Sequence, residues 1–159
     1  MADTPIPRLI ADEVTTGIHF LDHLRHSILA KLDGLDDSDL RRQLVDSDTT
    51  LLGLIQHLTM AECFWFEIVL NGAGTELPDG SMIVDDNISA SSVTDAYRAQ
   101  TARNNQIVAT RDPDDLPATT LDGDPASVRW ILHHMIEETA RHAGHADIVR
   151  ELIDGRTGR

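Results

Sequence analysis

The sequence predicts an all-α four-helix bundle. Two observations carry this reading: long segments in which apolar residues recur every three, four or seven positions, and no stretch of the apolar–polar alternation that marks a strand. Gly, Pro, Asp and Ser gather between those segments, where a helical chain needs its breaks. At 159 residues the chain is long enough for one domain with a genuine core, residues 1–159, and too short for two comfortable ones.

The first helix is expected from about Arg8, after Pro5 and Pro7, to Lys31. Its stripe is Ile10, Val14, Ile18, Leu21, Ile28 and Leu32, and Gly34 with the acidic run Asp36-Asp-Ser-Asp39 ends it. The second runs from about Thr50, behind cap candidates Ser47 to Thr49, to Asn71, and stops at Gly72-Ala-Gly74. The polar stretch 72–91 is too long for a simple turn, and loops of that kind inside compact domains are often functional. The third helix, about Ser92 to Thr110, is marked only by Val93, Tyr97, Ile107 and Val108. Gln100, Asn104 and Asn105 dilute its apolar face, which fits either the bundle edge or polar groups shown to an internal cavity. Asp112-Pro-Asp-Asp-Leu-Pro117 ends it. The fourth is expected to open with Asp124 as cap and Pro125 at the first helical position. It continues to about Asp154 before Gly155, roughly 30 residues or about 45 Å.

Composition narrows the function. A formal charge of −14, from 27 acidic and 13 basic residues, repels phosphate backbones and anionic lipid heads. No nucleic acid or membrane partner is expected. No apolar run approaches the ~20 residues of a spanning helix, and Met1-Ala-Asp-Thr-Pro-Ile-Pro-Arg8 lacks the regions of a signal peptide. The single cysteine, Cys63, excludes an internal disulfide framework and reads as a small packed residue. The expectation is a cytoplasmic protein, in which the Asn87-Ile-Ser89 sequon carries no meaning. Dinucleotide, phosphate-loop, nucleophile-elbow and Cys-x-x-Cys motifs do not occur.

The eight histidines carry the chemistry. His19, His23 and His26 share a face of the first helix nearly opposite its apolar stripe, so they are expected on a solvated or dimer-contacting surface. The last helix differs. With Glu138 at zero and about 100° per residue, Ile131, Met135, Val149 and Leu152 fall within roughly 60° of it, as do His134, His142 and His145. Titratable groups inside an apolar stripe need partners, because an unpaired buried charge is expensive. A divalent cation satisfies them together, and bundle metal sites are built in this way from facing helices. His57, flanked by Leu54, Leu58, Ala61 and Trp65, is the natural third member. Three ligands leave a position open for a reactant, which is catalytic geometry. The Glu138-x-x-x-His142 pair alone also fits a helix-stabilising ion pair. Spacing does not choose between it and His134/Glu138 or His142/His145.

The segments Leu51-Leu-Gly-Leu-Ile-Gln-His57-Leu-Thr-Met-Ala-Glu62 and Ile136-Glu-Glu138-Thr-Ala-Arg-His142-Ala-Gly-His145 resemble the DinB superfamily. The likeness is to its actinobacterial branch, near the N-terminal domain of mycothiol-dependent maleylpyruvate isomerase and the mycothiol S-transferases, and it covers nearly the whole chain. It implies a DinB-like four-helix bundle with long crossover connections, often dimeric. It also implies a divalent metal on three ligands, usually zinc or nickel. Many members place His-x-x-x-His on the last helix. Here Glu138 stands at the first of those positions, as it does in the isomerase-like branch, which favours His57, Glu138 and His142 as ligands. A carboxylate hardens the site and widens the choice of metal beyond zinc. The isomerase carries a further C-terminal domain, whereas this chain ends at Arg159, so maleylpyruvate isomerisation is not expected.

The resemblance thus implies a metal-dependent thiol S-transferase that joins a low-molecular-weight thiol such as mycothiol to an electrophile, a detoxification chemistry. The open metal position would bind the sulfur, since a coordinating thiol loses its proton. His134, Arg141 and His145 are candidates for substrate or second-layer contacts. The alternatives are a metal-assisted hydrolase and a non-enzymatic, metal-binding or stress-related dimeric bundle.

Overall fold

A computed structural model describes residues 5–121 and 123–157. It is all-α, as expected, with no β-strand among the described residues. Helix α1 is Glu13–Ala30, α2 is the single turn Asp37–Leu40, and α3 is Leu51–Glu62, which widens without a break into a π-helical segment, Cys63–Leu70. Helix α4 is Ala90–Val108 and α5 is Val128–Asp154.

Several element ends differ from expectation, each for a local reason. Helix α1 starts at Glu13 rather than Arg8, because the Asp12 side chain accepts from Thr15 N at 2.8 Å. Ile10 therefore precedes the helix and is fully exposed, outside the stripe assigned to it. The acidic run after Gly34 is not merely a stop: Asp36 caps the turn α2 through Asp39 N. Ser89 caps α4 through Ser92 N, so that helix begins two residues before the expected Ser92. Helix α5 is capped by Ser127, whose hydroxyl accepts from Trp130 N at 3.3 Å. Asp124 and Pro125 lie outside it, in a turn closed by Asp124 N donating to Leu121 O at 2.9 Å. The C-terminus of α5 is as expected, with Gly155 at φ 77°.

The buried residues form two apolar clusters. One joins Ile28, Leu32, Leu51, Leu52, Leu54, Ile55, Leu58, Tyr97 and Val149, and the other joins Val14, Leu21, Phe66, Leu70, Val108, Ile131, Leu132 and Met135. On every long helix the residues between the clusters are polar and buried: Arg25, Glu62, Gln100, Asn104, Glu138, Thr139 and His142. This layer answers the question posed by the third helix, since Gln100 and Asn104 face neither an edge nor a cavity. They belong to a hydrogen-bonded network. Asn104 Nδ2 donates to Glu62 Oε2 at 2.7 Å, and Gln100 Nε2 donates to Glu67 Oε1 at 2.7 Å. Arg25 grips Glu62 through Nε at 2.7 Å and Nη2 at 2.6 Å, and reaches Asp22 and Asn105 with Nη1 at 2.8 and 2.7 Å. Burial opposes the charge on Arg25, yet the Glu62 carboxylate outweighs it and raises the guanidinium pKa further.

The long connection after the π-helical segment is strapped along α3. Gln56 Nε2 donates to Ser81 O at 2.9 Å, the Thr50 hydroxyl donates to Met82 O at 3.2 Å, and Val84 is buried in the core. Gly53 makes this approach possible: a Cβ there would sit 1.9 Å from Met82 O.

Candidate metal centre

Helix α5 does not bury the face centred on Glu138. Its buried residues, among them Met135, His142, Ala146 and Val149, centre about 70° away from Glu138 at 100° per residue. Glu138 therefore stands at the rim of the buried stripe, 7% exposed. The other side of that rim carries His134, half-buried, with Arg141, His145 and Leu152, which are exposed. Leu152, expected within the stripe, is 52% exposed because the last turn packs through Val149 and Ile153 instead. His145 likewise faces outward, although its ring centroid is 5.5 Å from that of His142.

Across the groove, α3 presents His57 from the same helix that supplies Leu54, Leu58 and Ala61 to the core. The histidines of α1 stay outside the site: His19 and His26 are exposed and His23 is half-buried. Ligand atoms of His57, Glu138 and His142 all lie within 4.8 Å of one another. His57 Nε2 is 3.3 Å from Glu138 Oε1, and His142 Nε2 is 2.9 Å from that same oxygen. The two imidazole rings meet edge to face with centroids 4.9 Å apart. The other oxygen of Glu138, Oε2, accepts from Arg141 Nη2 on the open side.

The second nitrogen of His57 is engaged by the strap, with Nδ1 3.1 Å from Gly80 O. A carbonyl can only accept, so this contact places the ring proton on Nδ1. With Nδ1 engaged in this way, Nε2 is the nitrogen turned toward Glu138 Oε1, where a cation between the two would bind both. The donor set of two imidazole nitrogens and a carboxylate oxygen suits zinc and other divalent cations of the first transition row. A carbonyl that fixes the tautomer of a ligating histidine is a common outer support of such sites.

Protonation at neutral pH suits the same role. Burial disfavours the imidazolium form of His142 and moves its pKa below the ordinary value of 6.5, against the pull of Glu138. Burial would raise the Glu138 carboxyl, but the hydrogen bond from His142 and the charges of His142 and Arg141 together hold it below 4.5. Cys63 is not a competing nucleophile. It is 1% exposed, and burial with the nearby Glu67 charge pushes its thiol up.

Of the six site residues singled out in the sequence, the structure brings His57, Glu138 and His142 together. It places Arg141 against Glu138, and puts His134 and His145 on either side along the α5 rim. Sequence reasoning missed Gly80, whose contribution is a backbone carbonyl without a side-chain signature. The available signal was Gly53, a glycine inside a helix, where such a residue costs stability and points to close backbone approach. No described helix is long and apolar enough to cross a membrane.

Comparison with known proteins agrees with this picture. A solved structure of a conserved protein from Enterococcus faecalis superposes with a TM-score of 0.73 at 14% identity, covering 92% of this chain and 100% of that one. At that identity the likeness speaks for the fold alone. No curated protein matches the sequence. The model of the mycothiol S-transferase family matches residues 18–155, a span that holds α1 from its second turn onward, the strap, and all three convergent residues. The chain belongs to the mycothiol S-transferase family.

Proposed function

We propose that the protein transfers a low-molecular-weight thiol, mycothiol, to electrophilic small molecules, with His57, Glu138 and His142 holding the divalent cation that the reaction requires. The carrying observation is the pair of imidazole nitrogens aimed at one carboxylate oxygen, with the His57 ring proton directed away to Gly80 O. Family membership supplies the thiol. Zinc is the expected ion. When bound, it supplies the positive charge that keeps a thiol ionised near neutral pH.

The residues divide the remaining work. His57 and His142 offer imidazole nitrogens as ligands and Glu138 one negative charge, so a divalent cation held there keeps positive charge with which to attract a thiolate. His57 keeps 24% of its side chain exposed, which makes its side of the groove the way in. Arg141 fixes the orientation of the Glu138 carboxylate from the solvent edge, and with His145 it offers polar contacts to the incoming thiol. The thiolate sulfur forms the new C–S bond as the leaving group departs with its electron pair, and the thiol proton passes to solvent.

Incubation of the zinc-loaded protein with mycothiol and monobromobimane tests this reading. A fluorescent conjugate should form faster with the wild type than with His57→Ala. No rate above that variant, with mycothiol and other small thiols alike, would contradict it. So would turnover of the electrophile that needs the metal but no thiol.

A further inference from the structure

The seam between α3 and α5 does not end at the three convergent residues. The helices run antiparallel, so residues after His57 on α3 meet residues before Glu138 on α5. Further along the seam are Trp65 from the π-helical segment and His134 and Trp130 from α5. His134 and Trp130 lie one and two turns before Glu138, about 6 Å and about 12 Å along the helix axis. The His134 ring stacks on Trp130 at 5.0 Å with 16° between planes. Trp65 meets His134 edge-on at 4.7 Å and Trp130 at 5.2 Å, and Phe64 backs it at 5.2 Å.

Composition makes this arrangement unusual. The chain has two tryptophans, and both are here rather than in either apolar cluster's buried centre. Trp130 is 48% exposed, and Trp65 and His134 are half-buried. Indole left facing water costs stability, and large aromatic surfaces are placed where they gain a partner. The π-helical turns are wider than α-helical ones and re-aim the side chains that follow, which is how Trp65 reaches α5.

From this geometry we infer that Trp65, Trp130 and His134 form a stacking shelf for a planar, electron-poor aromatic electrophile, presented one to two helical turns from the candidate metal centre. This names the substrate class of the site and rests on the thiol-transfer reading above. Electron-rich indole favours an electron-poor ring stacked on its face. The net charge of −14 on the chain as a whole favours an uncharged ring over an anion. His134 covers one face of Trp130, and the 48% exposure of Trp130 leaves indole surface open to a planar ring. With chlorodinitrobenzene as substrate, the sulfur forms a C–S bond at the ring carbon, chloride leaves with the bonding pair, and the thiol proton goes to solvent.

The test uses two electrophiles and one binding probe with the zinc-loaded full chain. Replacing Trp130 by Ala should lower kcat/KM for chlorodinitrobenzene relative to that for iodoacetamide by about tenfold, through KM, as expected for one lost stacking contact. Trp130→Phe should restore most of the ratio. Dinitrobenzene, which has no leaving group, should quench tryptophan emission saturably, and less tightly in Trp130→Ala. Trp130 is half exposed, so the variant should fold. An unchanged selectivity ratio would overturn the shelf. Should no thiol transfer occur with any electrophile, the transfer reading fails while quenching still decides the shelf: non-saturating quenching, equal in both proteins, would overturn it.

Discussion

Two buried carboxylates occupy the polar layer of this bundle and are partnered in opposite ways. Glu62 is 0% exposed and is closed on every side, by a bidentate guanidinium and an asparagine amide. Glu138 stands at the rim, with one oxygen facing two imidazole nitrogens and the other held by a surface arginine. The first carboxylate has a full positive charge against it and nothing left to bind. The second faces two imidazole nitrogens, with its arginine on the far side. The comparison teaches how to separate a structural buried charge from a ligand site: burial is similar, and the sign and direction of the partners decide.

The largest effect expected from this contrast is on folding. Replacing Glu62 by Ala leaves the buried Arg25 guanidinium with only the Asp22 carboxylate against it and should cost on the order of 3–5 kcal/mol. Urea unfolding of the zinc-free protein measures it. Glu138→Ala should cost far less in the same assay, because its neighbours are uncharged or reach solvent. Equal losses in the two variants would remove the distinction.

Gly53→Ala addresses the support of His57 rather than the ligands. The added methyl meets Met82 O at 1.9 Å, so the strap must shift and Gly80 O must leave His57 Nδ1. Zinc affinity should fall by about 10–100-fold, the usual cost of losing a ligand's outer hydrogen bond. Calorimetric zinc titration reads this, and unchanged affinity would show that the strap does not orient His57.

A smaller effect is expected with pH. His142 has a folded pKa below its ordinary 6.5 and Glu138 one below 4.5, both depressed. A depressed value favours the folded state above the unfolded pKa and loses that contribution as pH falls, because the unfolded chain takes up the proton first. The zinc-free protein should thus melt at lower temperature at about pH 5.5 than at about pH 7.5, with the His142 part of that loss absent in His142→Gln. A Tm that rises as pH falls through this window would reverse the sign and contradict the assignment of a neutral His142.

How much of this was legible in the sequence follows from which forces leave a residue-level mark. Helical periodicity marks the four long elements, and the family resemblance, not spacing, singles out His57, Glu138 and His142. The buried face of α5 centres about 70° round from Glu138, near Met135 and Ala146, because Leu132, Thr139, Ala143 and Arg150 are buried too; His145 and Leu152, on the other side of Glu138, are left in solvent. Helix starts shifted because several residues, Asp12 and Ser127 among them, competed to cap, and only the backbone path decides among them. The Arg25–Glu62 pair joins residues 37 apart in sequence and left no local pattern. The His57–Gly80 contact involves a backbone oxygen, which no side chain announces.

The central claim is that the open carboxylate, and not the closed one, is where a cation sits. Metal content of the untagged protein after zinc loading and desalting tests it most directly, in the wild type beside Glu138→Ala and Glu62→Gln. A single zinc per chain is expected in the wild type, retained in folded Glu62→Gln and lost in Glu138→Ala. Zinc bound equally by Glu138→Ala and the wild type, or by neither, would contradict it.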